Sequence, residues 1–190
     1  MVRNLFYAIA IIFLTMSSVS AKEAQPTPQG KQEKKEEKPK EKPKREPVVD
    51  AFTRIDQGEG GVDALVLYAH PLYFAYKGTL EEATKKYDME KFHVFVVTIN
   101  SPKKLDLSKF SIEKAIFIQT EDGLEYPAVP QWIPIDEKSP SKRSGIIRFF
   151  QVDAQGKKII PDNAKSLIIV IKGLADVPER VFRWNLPIEF

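Results

Sequence analysis

The stretch that decides the fold runs through residues 92–126. It reads FHVFVVTIN at residues 92–100, SPKKLDLSKF at residues 101–110 and KAIFIQTEDGLEY at residues 114–126. β-branched and aromatic residues dominate the first and third segments, and such residues favour strands. The first segment is apolar at almost every position, which is typical of a central strand covered on both faces. Together with the Asp-Gly turn at residues 122–123, this predicts two or three strands of one sheet.

Further strands are predicted on both sides of this stretch. They cover residues 62–68, 72–76, 145–152, 166–172 and 180–186, and one short helix is predicted at residues 80–87, opened by a capping box of Thr79 and Glu82. Residues 128–144 are predicted to form a long irregular loop whose Trp132 packs on the domain. In the last strand Phe182, Trp184 and Leu186 alternate with polar or smaller residues, so they should face the core.

These elements predict an all-β fold. About seven to eight short strands without repeated helix–strand units are typical of an antiparallel β-sandwich of immunoglobulin-like architecture, here with one short helix. The sandwich domain is expected at residues 49–190. The chain has no cysteine, so it has no disulfide and its stability must come from the core.

The N-terminus has the layout of a secretory signal peptide at residues 1–21. Arg3 precedes the apolar residues 5–16, and the small residues Val19-Ser20-Ala21 end the segment. A retained membrane anchor is the alternative, but about a dozen apolar residues fall short of the roughly 20 that span a bilayer. We therefore expect export to a periplasmic or extracellular location, with no stable membrane span after cleavage.

Residues 22–48 are predicted to be a disordered linker. They contain nine basic and six acidic residues and five prolines, with too few apolar side chains to offset the entropy of ordering. The charge of the chain is therefore segregated: Arg3 contributes +1, the linker +3 and the remaining domain −1, which together give the +3 of the whole chain. A nearly neutral domain lacks the basic surface of a nucleic-acid-binding protein, so no nucleic-acid partner is expected.

Several short motifs lie between Thr98 and Trp184. They are Asp106-Leu107-Ser108 followed by Phe110, the tryptophan Trp132 after prolines, the segment at residues 143–149 and the closing segment at residues 179–184. In these motifs the chain resembles an uncharacterised family of exported bacterial immunoglobulin-like β-sandwich domains. The resemblance implies the same fold. It also implies a metal site in those members that have histidines after the first strand and before the glycine. This chain has Asn100-Ser101 and Ser141-Lys142-Arg143 at those places, so the metal site is not expected here.

Candidate sites for chemistry are few. His70, Met89 and His93 could form a soft copper site, although Met89 is predicted in a loop and His93 in a strand. No nucleophile elbow and no glycine-rich phosphate loop is present, so the chain is not expected to be an enzyme or to hold a cofactor. The carboxylate pairs Glu81/Glu82, Glu121/Asp122 and Asp136/Glu137 are expected in capping, turn and solvation roles.

The aromatic residues suggest a binding patch. Tyr68, Tyr73 and Tyr76 cluster around the predicted helix, and with Trp132 they could bind a peptide or a glycan. The alternative is that these rings close one end of the sandwich. The sequence therefore favours a non-catalytic exported binding or accessory module of the bacterial cell envelope, whose partner is an envelope protein, a peptide or a glycan. The alternative function is a periplasmic copper-binding protein.

Overall fold

The computed structural model describes residues 46–190, which form one compact unit. Two antiparallel sheets make up this unit, with the strand orders β1-β2-β3-β7-β6 and β5-β4-β8-β9. The nine strands of the described part are β1 Thr53–Asp56, β2 Asp63–Tyr68, β3 Phe92–Asn100, β4 Ile116–Gln119, β5 Glu125–Pro127, β6 Ile133–Ser139, β7 Lys142–Phe150, β8 Ser166–Lys172 and β9 Glu179–Asn185. The predicted all-β fold of two antiparallel sheets is confirmed.

Four short α-helices accompany the sheets within residues 46–190, where the sequence predicts one. They are α1 Pro47–Phe52, α2 Pro71–Tyr76, α3 Leu80–Tyr87 and α4 Ile112–Ala115, and 3₁₀ turns lie at Glu59–Gly61 and Leu174–Asp176. None of these helices is long and apolar enough to cross a bilayer.

The strands β3 and β8 occupy the residues predicted for them, because long runs of β-branched and aromatic residues leave little ambiguity. The segment at residues 72–76 was predicted as a strand and is helical. Pro71 occupies the first position of α2, where its missing N–H removes no helical hydrogen bond and its fixed φ suits a helix. An apolar run of five residues has no period that separates the two structures, so this prediction was wrong.

Three further expectations change. The Thr79 side chain makes no capping hydrogen bond to α3, although the helix begins where predicted. The loop predicted at residues 128–144 contains β6, which pairs with the first half of β7 through two register shifts. Trp132 does pack on the domain, since its ring lies against Gly145 so closely that a Cβ there would stand 2.5 Å from it. The entry segment before β2 also contains α1 and β1.

The expected signal peptide at residues 1–21 and most of the expected linker at residues 22–48 lie outside the described residues. Val48 is described, and its side chain is buried in α1 together with Val49 and Phe52. The compact unit therefore begins before residue 49, because an apolar side chain at the linker end packs into the core.

The core between the two sheets is centred on Trp184. The register of β8 and β9 places Trp184 opposite Leu167 and Phe182 opposite Ile169, on the face turned towards the first sheet. The Trp184 ring lies 6.2 Å from the Phe95 ring and 6.3 Å from the Tyr68 ring, centroid to centroid. Trp184 has 0% of its surface exposed whereas Arg183 is exposed, which confirms the predicted alternation of β9.

Two arginines link the sheets along the edge formed by β1 and β9. The buried Arg180 of β9 forms an ion pair with Asp56 of β1 and donates hydrogen bonds to the carbonyl oxygens of Val62 (3.1 Å) and Glu59 (2.5 Å). Arg54 of β1 donates through Nε to the carbonyl oxygen of Arg183 at 2.7 Å. A backbone acceptor on an edge strand is thereby occupied, which lowers the tendency of that edge to pair with another chain.

Replacing Trp184 by alanine should cost about 3–5 kcal/mol of unfolding free energy, because it opens a large cavity between the sheets. Arg183→Ala on the same strand should cost no more than about 0.5 kcal/mol, since its side chain lies on the outer face. Urea unfolding followed by far-UV circular dichroism measures both. Similar losses at the two positions would contradict the assignment of the inner and outer faces.

Asp56→Ala should destabilise the domain by about 3 kcal/mol, because it leaves a guanidinium buried without its counter-charge. Asp162→Ala is the matched control, since its ion pair with Lys158 is exposed and should contribute less than about 1 kcal/mol. Adding Arg180→Met to Asp56→Ala should recover part of the loss. If Arg180→Met lowers the unfolding free energy of Asp56→Ala by as much as it lowers that of the parent chain, the two residues do not act as a pair.

Candidate binding surface at helix α2

Helix α2 is apolar on every side. Its sequence is PLYFAY, and its helical spacing directs Tyr73 and Phe74 into the core. Leu72 and Tyr76, four residues apart, lie on the opposite side, with 47% and 58% of their surfaces exposed. A helix that is hydrophobic all round is normally buried, so a surface position for α2 leaves apolar side chains in contact with water.

The C-terminal residue completes this exposed surface. The Phe190 ring lies 6.0 Å from the Tyr76 ring in a T-shaped arrangement and 5.5 Å from the Phe52 ring, and 54% of its surface is exposed. We call the surface formed by Leu72, Tyr76 and Phe190 the α2 patch. Apolar side chains that are exposed next to one another commonly mark a contact surface.

An aromatic cluster lies directly beneath the α2 patch. It consists of Phe52, Tyr68, His70, Tyr73 and His93. The His70 ring stacks on the Phe52 ring at 5.7 Å and meets the edge of the Tyr68 ring at 5.1 Å, while Tyr73 contacts Phe52 at 6.0 Å. This cluster ties α1, β2, α2 and β3 together, so it supports the α2 patch from below.

His70 caps the N-terminus of α2. Its Nδ1 atom accepts a hydrogen bond from the backbone N–H of Leu72 at 3.1 Å, which pairs one of the N–H groups that a helix start leaves without an intrahelical acceptor. At the other end of the helix, Lys77 forms an ion pair with Glu46. Both ends of α2 are therefore held by side-chain interactions.

His93 and Tyr68 form a hydrogen-bonded pair inside the cluster. The Tyr68 hydroxyl and Nδ1 of His93 are 3.2 Å apart. Burial, followed by the nearby His70, lowers the pKa of His93 to about 4, and burial also lowers the pKa of His70 and raises the pKa of Tyr68. At neutral pH both imidazoles and the phenol are uncharged, which suits an apolar environment.

The four residues predicted to form a binding patch do not form one surface. Tyr68 and Tyr73 are buried, and Tyr76 alone of the three tyrosines is exposed. Trp132 instead contacts a different group of residues: its Nε1 donates to Glu137 at 2.7 Å and its ring lies 5.3 Å from the Arg143 guanidinium. The predicted patch thus divides into core residues, Tyr76 of the α2 patch and a separate tryptophan–arginine contact.

The predicted copper ligands have packing and capping roles. His70 caps α2, His93 bonds to Tyr68, and the buried Met89 has its carbonyl oxygen bound by Nε2 of Gln151 at 2.7 Å. In residues 46–190 no group of three or more histidine, cysteine, aspartate and glutamate side chains is placed to hold a metal ion. Copper binding stays a prediction from the sequence, and the described contacts of these residues are structural ones.

A cleft of about 240 Å³ lies between the β4–β5 turn and residues 157–164. Its lining includes the apolar Ile118, Ile159 and Leu167, and two of its charged side chains bond to nearby groups. Glu121 accepts hydrogen bonds from the N–H of Lys165 (2.9 Å) and the hydroxyl of Ser166 (3.1 Å), and Lys158 pairs with Asp162. The polar groups of the cleft serve the loops that form it, so we place the candidate site at the α2 patch.

The prediction from the sequence missed Phe52 and Phe190. Both lie in segments without a strand pattern, at the start and at the end of the domain, and 138 positions separate them. Their contact forms because the two ends of the domain approach each other, and the spacing of residues along the chain does not reveal this approach. The available signals were two prolines, Pro47 at the start of α1, which carries Phe52, and Pro71 at the start of α2, since proline is common at the first position of a helix.

Comparison of the chain with family models, with curated proteins and with solved structures finds no match in any of the three.

Lowering the pH from 7 to 5 should cost about 2 kcal/mol of unfolding free energy through His93 alone. The unfolded chain takes up a proton near the ordinary histidine pKa of about 6.5, whereas the folded chain does not until about pH 4. Stability is therefore complete above pH 6.5 and falls as the pH decreases towards 4. Urea unfolding at several pH values measures this slope, and His93→Gln should reduce it; an equal slope in both proteins would contradict the assignment.

Proposed function

We propose that this chain is a non-catalytic exported binding module of the cell envelope, with an immunoglobulin-like domain, and that the α2 patch binds an apolar peptide segment of an envelope protein. The observation that carries the proposal is the exposure of Leu72, Tyr76 and Phe190 on one supported surface. Burying one such side chain at an interface contributes about 1.5–3 kcal/mol of apolar transfer free energy.

The support beneath the patch favours binding over a chance exposure. Phe190 is in contact with Phe52 in the core, so it stays on the surface at a defined position. An anchor that is already ordered loses little conformational entropy when a partner covers it. A peptide fits this surface better than a glycan, because the phenol of Tyr76 is the one hydrogen-bonding side-chain group among its three residues, and the many hydroxyl groups of a glycan need hydrogen-bond partners in addition to ring stacking.

The contacts of the carboxylates support a non-catalytic role. Glu121 binds backbone and hydroxyl groups, Asp136 pairs with Lys142, and Glu137 is shared between Trp132 and Arg143. These carboxylates are occupied in holding strands and turns together. A general acid or base must be free to form a hydrogen bond to a substrate, and its pKa must lie near the working pH.

The test is site-specific photo-crosslinking in the native host. The full chain carries a benzophenone amino acid in place of Tyr76, and we expect one discrete crosslinked envelope protein, since the ring lies within the contact surface. The control carries the same amino acid in place of Val181, which has 55% of its surface exposed on the outer face of the second sheet.

The proposal requires that the crosslink at Tyr76 be lost on adding Phe190→Ser and that the Val181 control not give the same product. A crosslink of equal intensity from both positions, or none at Tyr76, would overturn it. Circular dichroism of Phe190→Ser confirms that loss of the crosslink is not loss of the fold.

A further inference from the structure

Both histidines of the chain lie in the aromatic cluster, on two sides of Tyr68. Histidine is the side chain whose ordinary pKa falls between pH 5 and 8. Any side-chain protonation in the mildly acidic range is therefore concentrated where α2 meets the end of the sandwich.

The hydrogen bond from Leu72 determines the protonation state of His70. A backbone N–H can only donate, so Nδ1 of His70 must carry a lone pair and the ring proton must be on Nε2. An imidazolium has N–H groups on both ring nitrogens and no acceptor. Protonation of His70 therefore breaks the cap, and it also places a positive charge at the end of the helix that already carries a partial positive charge.

We propose that the His70 cap is an acid-sensitive latch that holds α2, and with it the α2 patch, against the end of the sandwich. The closed state requires neutral His70, stacked on Phe52 and bonded to Leu72. In the open state α2 separates from the cluster and His70 is solvated and charged.

The direction of the effect follows from the surroundings of His70. Burial lowers its pKa in the closed state, and the open state has the ordinary value of about 6.5. The stability of the closed state relative to the open state is therefore complete above pH 6.5 and decreases as the pH falls below that value. His93 lies on the same tyrosine, so a proton on one imidazole disfavours a proton on the other.

Other titratable groups belong to the elements that pack around His70. They are Tyr68 of β2, His93 of β3, Tyr73 and Lys77 of α2, Glu46 and Asp50 at α1, and Glu189 next to Phe190. Carboxylates ordinarily titrate below pH 5, and phenols and ammonium groups above pH 9. Between pH 5 and 7 the two histidines are the groups with the appropriate chemistry.

Short helices depend strongly on their caps. Helix α2 has six residues, and helices of this length are not stable without their caps and tertiary contacts. Opening α2 would also separate Tyr76 from Phe190, which divides the α2 patch. The effect of the latch on binding rests on the proposed function, whereas the opening of α2 itself occurs in the free chain, without a partner.

The experiment is amide hydrogen exchange of the full chain by NMR between pH 7 and pH 5, without any partner. The protection factors of the Leu72 and Lys77 amides, which bond to His70 and Tyr73, should fall about tenfold. The amide of Ile169 in the central strand β8 exchanges through global unfolding, so it should stay far better protected than the α2 amides at both pH values, even as acid lowers the overall stability. Because no partner is used, failure of the latch and failure of the proposed binding are separate results.

The matched variant is His70→Asn. An asparagine side chain can accept the same hydrogen bond at an N-cap and does not titrate, so protection of α2 should change less than about twofold over this range. His93→Gln should keep the acid-induced opening. In the parent chain, titration of the His70 ring proton shifts must share the midpoint of the loss of protection, a result that needs no variant.

The latch is wrong if α2 keeps its protection at pH 5, if the α2 amides are as well protected as Ile169 at both pH values and so exchange only with the whole domain, or if His70→Asn opens as much as the parent.

Discussion

The buried guanidinium of Arg180 fixes how the edges of the two sheets meet. It belongs to β9, yet its partners are Asp56 of β1 and the carbonyl oxygens of Glu59 and Val62, all in the segment around the first sheet. A buried charge is tolerated only when it is paired and hydrogen-bonded. The edges of the two sheets must therefore approach each other closely and in one register, or the charge would be left without its partners.

Two other arginines bind backbone carbonyl groups in the same way. Arg54 donates to the carbonyl of Arg183 and lies 5.3 Å from the Trp184 ring, which joins β1 to β9. Arg143 of β7 donates to the carbonyl of Phe110 at 2.5 Å and so fixes the loop after β3. In a chain without cysteine, guanidinium groups supply cross-links between distant segments. These cross-links are directional but reversible, because each consists of hydrogen bonds rather than a covalent bond.

The end of the sandwich at α2 is built differently. Here rings pack on rings, from Trp184 through Tyr68 and His70 to Phe52 and Phe190, and the surface of this stack reaches solvent. The polar groups in the stack are the indole N–H of Trp184, the hydroxyl of Tyr68, which bonds to His93, and the neutral imidazole of His70. The imidazoles give this end of the sandwich groups that can take up a proton in mild acid, whereas the β1–β9 edge is held by guanidinium groups.

The sequence by itself determined the strands whose side-chain pattern is local. The apolar runs of β3 and β8 and the alternation around Trp184 in β9 could be recognised, because period-two spacing depends only on the strand's own residues. Residues 72–76 were wrongly predicted as a strand, and the sequence could not separate buried Tyr68 and Tyr73 from exposed Tyr76, since all three are equally apolar. The tertiary structure decided these points. Tyr68 packs against Trp184 and Tyr73 against Phe52, whereas Tyr76 lies at the surface beside Phe190. Contacts between such distant parts of the chain have no signature in local spacing.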